Sequence, residues 1–361
     1  MQIDFHHAVT YVLARLAGFS HDDSRTIAYA AQYVDDCRNA GRLTFDTGAT
    51  YDRIASAHKT FDVMHHCDMK EDCRVWVPFH FLPGNVGKVA GEAVNEPMMK
   101  RLVCTPDSPL ATDMWAACCA AKNDANALHR LGITTHVYED TFAHCFFAGV
   151  LDTVNHVSDI THGAEQFREL IDNLTSKILE LIPLGHGAAL TFPDWPFLVW
   201  AYKSSDGTIT PRDNPHQFTL ASEQVFRRFL AYRGMPDRNL PEADRAALEN
   251  AFRAYTDTDG GARHSRWHKL IREGGFSFGG LSQEQAESLV YADRGPGSWK
   301  YQALGPDADR DDGRIVFHYT PEFETSDWRL FHEALKSHQE QVLNSLLPKY
   351  GLSLPLTAAA I

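Results

Sequence analysis

Between His129 and His144 the chain carries His136, Asp140 and His144 at steps of four, with His129 seven residues before His136. Four residues of α-helix advance by about 400°, so these side chains stack along one helical face on adjacent turns. Ile133, Ala143 and Phe147 border that face with apolar surface and turn it inward. Imidazoles and carboxylates buried without partners cost several kcal/mol, so a chain with this stripe must fold into something that neutralises it. A plain His–Asp pair on a solvated face, or a hydrogen-bonded core histidine, would explain one such spacing. A third group in register, with matching groups elsewhere in the chain, favours a shared metal ion.

Those matching groups are found by position. The run Phe5 to Ala17 has Phe5, Val9, Val12, Leu13 and Leu16 on one helical face. Counting about 100° per residue from Phe5, the apolar stripe is centred near 30°, His6 lies at about 100° and His7 at about 200°. His6 is the candidate ligand, and His7 is expected to support it from behind. A second helix starts after the capping residues Ser20 to Asp23 and passes Ile27, Ala31 and Val34. Asp35 falls beside its apolar face and Asp36 points away, so Asp35 is the expected ligand and Asp36 its support. His80, in Val-Pro-Phe-His-Phe-Leu-Pro-Gly, is held by Pro78 and Pro83 in a stiff apolar segment. His156 with Asp159, or His186 with Asp194, is expected to complete the ligand set, and His129 to support it. Lys88 and Arg130 are the candidate substrate-side cations.

The organisation expected is one domain over 1–361, mainly α, with a helical metal-binding core over 1–190 and a decorating α+β portion over 191–361. Further helices are expected at Tyr51 to Met64, Ala111 to Ala121 and Glu165 to Ile182, with the stripe helix over about 126–150. Residues 41–52, rich in Gly, Thr and Asp, read as a loop, and Val75 to Gly84 as extended or irregular. Phe197 to Tyr202 with Thr208 to Thr210 reads as a β-hairpin. Helices follow over about 219–273 and 326–348, with strands at Trp299 to Leu304 and Arg314 to Tyr319.

The run His6-His-Ala-Val-Thr-Tyr-Val, the Ala-Gln-Tyr-Val-Asp35 helix, the His80-Phe dipeptide and the His136-x-x-x-Asp140 helix occur in an order that resembles the metal-ligand segments of zinc-dependent phospholipase C and the single-strand-specific nucleases. The whole chain also looks like an uncharacterised bacterial family that starts Met-Gln-Ile-Asp-Phe-His-His. The first resemblance implies a multi-helical fold around one to three zinc ions, with Asp140 bridging two of them, His6, Asp35 and His80 as ligands from separate segments, and His136 and His144 flanking. Those enzymes use an exposed amino-terminal Trp as a ligand. Met1 stands in its place here, so that ligand is expected to be missing.

The function expected is a metal-dependent hydrolase in which a His/Asp-bound metal hydroxide attacks a phosphate ester, with Asp35 and Asp140 as the catalytic acids. Iron or manganese suits the same donors, so an iron-dependent oxidase is the alternative, and a filled structural site the third. A net charge of −13 without a Lys/Arg run argues against an extended nucleic-acid surface. Seven cysteines, an odd number, contain no Cys-x-x-Cys pair, and the spacing of His65, His66, Cys67 and Cys73 suits no common structural zinc site. No apolar run approaches the roughly 20 residues of a membrane span and the start lacks a secretion signal, so the expected location is the cytoplasm. Oligomeric state is not legible.

Overall fold

The chain opens in a helix wound in two ways: a π turn over Asp4–Val9, every residue of which is buried, continued by Thr10–Leu16 (α1). The computed structural model describes residues 1–57, 69–162, 185, 186, 189 and 191–354. Ser20 accepts a hydrogen bond from the Asp23 N–H and starts His21–Asp36 (α2). Gly41–Phe45 (β1) and Thr50–Arg53 (β2) then form an antiparallel pair, and Met69–Phe79 (α3) leads to His80. Pro109–Ala120 (α4) precedes Ala127–Ala143 (α5), the helix that carries the stripe. Beyond it come Val157–His162 (β3), Val199–Ser204 (β4), Ile209–Asp213 (β5), Asn214–Tyr232 (α6), Glu242–Ala254 (α7), Gly260–Arg272 (α8), Trp299–Leu304 (α9), Val316–Phe317 (β6) and Asp327–Gln341 (α10). The protein is thus mainly α, with two small sheets among the described residues, ordered β2-β1-β6 and β3-β4-β5. Among the described residues no helix is long and apolar enough to cross a membrane.

Several expectations are corrected. Residues 41–52 form a hairpin because Leu43 and Phe45 alternate inward, and β6 pairs with β1 in parallel rather than with Trp299–Leu304. The latter is a helix, started by the Ser298 hydroxyl accepting from the Tyr301 N–H. Tyr51 belongs to β2, not to a helix. The segment before His80 is helical despite Pro78. A proline removes the N–H that would bond the carbonyl four residues back. That carbonyl, of Arg74, instead accepts 2.8 Å from the Gln339 amide on α10, a tertiary contact that sequence periodicity does not reveal. The helix expected over Glu165 to Ile182, and His58, His65, His66 and Cys67, lie outside the described residues.

Two features position the stripe helix. At Gly132 the backbone of α2 approaches so closely that an added methyl would meet the Ile27 carbonyl at 2.5 Å and the Ala30 methyl at 2.6 Å. At the other end, the buried Arg212 of β5 donates to the carbonyls of Ala143 (2.7 Å), Cys145 (3.0 Å) and Phe142 (3.3 Å). These are the last orphan carbonyls of α5 and its exit, where a cation also complements the helix dipole. The second half of the chain therefore caps the helix that carries the histidines. Core packing joins both halves too: Phe5 meets Phe218 edge-on at 5.3 Å and stacks on Phe252 at 5.7 Å.

Gly132→Ala is expected to lower stability by about 1–3 kcal/mol by overpacking the α2–α5 contact, measured by denaturant unfolding. Stability equal to the parent would mean that the two helices part without cost.

Candidate metal centre

Asp140 sits in the last turn of α5 with only 1% of its surface exposed, and groups from the amino terminus, α2, the end of α3 and the turn after Phe192 gather around it. Its Oδ1 lies 2.5 Å from the Met1 amine and 3.3 Å from His6 Nε2. Its Oδ2 lies 3.3 Å from His80 Nδ1 and 3.3 Å from His136 Nε2. Asp35, at the end of α2, reaches to 3.8 Å from His80 Nδ1 and 3.9 Å from His136 Nε2. Asp194, in a short turn after Phe192, lies 3.2 Å from the Met1 amine, 3.2 Å from His144 Nε2 and 3.4 Å from His186 Nε2. Three donor sets result: His6, His136 and Asp140; Asp35, His80 and His136; and His144, His186 and Asp194. Around a tetrahedral ion with bonds of about 2.0–2.2 Å, neighbouring donor atoms lie roughly 3.3–3.6 Å apart, which is the spacing seen across much of this cluster.

The outer contacts decide which ring nitrogen carries the proton. His80 Nε2 donates to the Ser56 carbonyl at 2.8 Å, and His144 Nδ1 donates to the His80 carbonyl at 2.8 Å. His6 Nδ1 is 2.7 Å from Glu139, whose other oxygen accepts from the Thr10 hydroxyl at 2.7 Å. In each ring the remaining nitrogen faces the carboxylates, and an outer partner on the opposite nitrogen is the arrangement by which metal-binding histidines are held. His6 Nε2 is buried with no hydrogen-bond partner among the described residues. His136 Nε2 and His80 Nδ1 face each other at 3.2 Å.

The charges follow from burial and neighbours. Burial holds His6 well below the ordinary histidine range and His136 down to about 4, so both are neutral near pH 7. Burial works against the charge of Asp140, yet His144, the Met1 amine, His136 and His6 outweigh it and hold the carboxyl well below its usual range. Burial also opposes ionisation of Asp194, overcome by the Met1 amine and by His186 and His144. Burial opposes charge on the Met1 amine too, but Asp140, Asp194 and Asp35 carry it up to about 11. Asp35 goes the other way: burial and the negative charge of Asp140 push it up to about 7 against the pull of His80.

Of the residues expected at the site, His6, Asp35, His80, His136, Asp140, His144 and His186 come together. His156 does not: it is exposed, because the Asn155 side chain bonds back to Ala148 and Val150 and sends the next residue outward. The expected supporting residues also make contacts elsewhere. His129 pairs with Asp327 at 2.9 Å, Asp36 accepts from Tyr291 and Arg38, and His7 faces His264. Asp194 takes a central place, and Glu139 supports His6. Glu139 had one legible signal: it lies only one residue from Asp140 on a helix buried all round. The Met1 amine stands in the cluster as an ammonium paired with Asp140 and Asp194.

A cleft of about 270 Å3 opens over these groups, walled by Trp76 and Phe81 and bordered by Arg38. Arg38 is the one Lys or Arg among its described lining residues. Arg130 and Lys88 are engaged away from it, with Gln341 and Glu92. Of the aromatic segment from Phe192 to Tyr202, Asp194 alone reaches the cleft, while Phe192, Trp195, Trp200 and Tyr202 fill a core.

In protein freed of metal by chelation, the melting temperature of the parent is expected to fall relative to Asp35→Asn as pH rises from about 5 to about 8. The folded value of Asp35, about 7, exceeds the 3.8 of a free carboxyl, so its contribution is present at low pH and lost as pH climbs through 7. A difference independent of pH would contradict the raised value.

Searches of curated proteins and of solved structures return no match. Over residues 1–346 the chain matches the family described as a family of unknown function, DUF6765, and it belongs to that family.

Proposed function

We propose that the protein is a metal-dependent hydrolase of phosphate esters. The observation that carries this reading is convergence: His6, His80 and His144, each anchored on its outer side, turn their inner nitrogens toward the carboxylates of Asp140 and Asp194 in a buried site. Imidazoles and carboxylates gathered at this spacing suit zinc, with manganese or iron as alternatives. The ligand order His6, Asp35, His80, His136, Asp140, which resembles that of zinc-dependent phospholipase C, supports the same reading. When bound, such an ion lowers the pKa of water from 15.7 to about 7 and polarises a phosphoryl oxygen.

The chain's own residues supply the rest. Asp140 directs its two oxygens to different donor sets and is suited to bridge them. The Asp35 side chain, 30% exposed, reaches the cleft and can ligate at its open side. Arg38, anchored 2.9 Å from Asp36, offers a cation at the rim for an anionic substrate. It also borders a larger cavity of about 430 Å3, with Lys300 and Arg294, which has room for the remainder of an ester.

Arg38→Ala is expected to lower kcat/KM on a phosphodiester by about 10- to 100-fold, the worth of one charge-assisted hydrogen bond, with metal content unchanged. Asp140→Asn is expected to lose turnover together with the metal held by the Asp140 cluster. No hydrolysis by zinc-, manganese- or iron-loaded protein across a phosphomonoester and phosphodiester panel would overturn the reading. A second reading has one observation in its favour: Asp35, His80 and His136 form a two-histidine, one-carboxylate set, the kind that holds iron for dioxygen chemistry. Iron in the purified protein, with dioxygen uptake and no phosphoester turnover, would select it.

A further inference from the structure

We propose a second metal site, separate from the Asp140 cluster, formed by His7, His264 and His268. His264 and His268 stand one turn apart on α8 and share a face, with ring centroids 4.3 Å apart. His7 arrives from the π turn, its Nδ1 2.9 Å from His264 Nε2 and its ring stacked on His268 at 5.6 Å between centroids. One nitrogen from each ring lies within 4.8 Å of the others. His7 is buried and the other two partly so.

A further observation points to a ligand. His268 Nε2 is shielded from solvent and has no hydrogen-bond partner among the described residues. Tyr291, which lies against His7, has its hydroxyl committed to Asp36. Three imidazoles suit a borderline divalent ion, zinc, copper or nickel, and not the oxygen-seeking magnesium or calcium. Three protein donors leave a fourth position, and a cavity of about 100 Å3 borders His7.

The site bears on the first because His7 follows His6 directly. An ion here would fasten α8 to the turn that presents His6 to Glu139 and Asp140. The same two elements are already joined by a buried ion pair, Arg263 Nε to Asp4 at 2.6 Å. The proposed ion is a second clamp beside it, through His7 three residues after Asp4 and through His264 and His268, one and five residues after Arg263.

The test is metal stoichiometry, not activity, so it fails or succeeds independently of the hydrolase reading. Full-length protein dialysed against zinc and measured by plasma mass spectrometry is expected to lose one equivalent in the double variant His264→Asn/His268→Asn. Stoichiometry equal to the parent would overturn the site. Should the double variant fail to fold, the single variant His268→Gln, changed at a partly exposed ring, is expected to weaken one zinc equivalent at least tenfold and to reduce the zinc-induced rise in melting temperature. Unchanged affinity for every equivalent would overturn the proposal. Asp140→Asn is expected to keep one zinc equivalent, and zinc-free Asp140→Asn protein would also count against it.

Discussion

A carboxylate removed from water without compensation costs several kcal/mol, and Asp140 is almost wholly removed. The arrangement around it follows from that constraint. α2 brings Asp35, the end of α3 brings His80, the π turn brings His6, and the turn after Phe192 brings Asp194. Nearly every element near the centre contributes a donor or anchors one. Because both oxygens of Asp140 are engaged on different sides, the cluster behaves as a network rather than a set of pairs, and loss of one member leaves others unpaired.

The helix carrying Asp140 is fixed from both ends by residues far away in sequence. Gly132 lets the α2 backbone come close enough for Asp35 to reach His136. Arg212, from the hairpin, closes the other end just where His144 leaves the helix. The β hairpin of the second half is therefore a structural partner of the centre. The π turn has a comparable effect at the amino terminus. Its wider winding accompanies two adjacent histidines that serve different neighbourhoods, His6 toward Asp140 and His7 toward α8.

Helical periodicity made the stripe, the inward position of His6 and the choice of Asp35 over Asp36 legible, because each depends only on angles along one helix. It failed where the deciding contact is distant. Val75 to Gly84 reads as extended or irregular, yet the chain before His80 is helical, with Gln339 satisfying the carbonyl that Pro78 orphans. His156 shares the chemistry of a ligand but is turned outward by Asn155. His7 was read as a support for the neighbouring residue, but the partner that engages it is His264, 257 residues on. The i,i+4 spacing of His264 and His268 was visible in the sequence. Nothing local tied it to His7.

By itself the sequence determined that a mainly helical chain buries a row of imidazoles and carboxylates, since the spacing of four and its apolar borders leave that face nowhere else to go. Only the tertiary structure decided which distant groups meet that row: Asp194 beside His144 and His186, the Met1 amine beside Asp140, Arg38 at the cleft. Periodicity sets directions within an element. The distances between elements are set by close approach at Gly132, by capping from Arg212 and by the need to compensate buried charge, and none of these is a property of neighbouring residues in the chain.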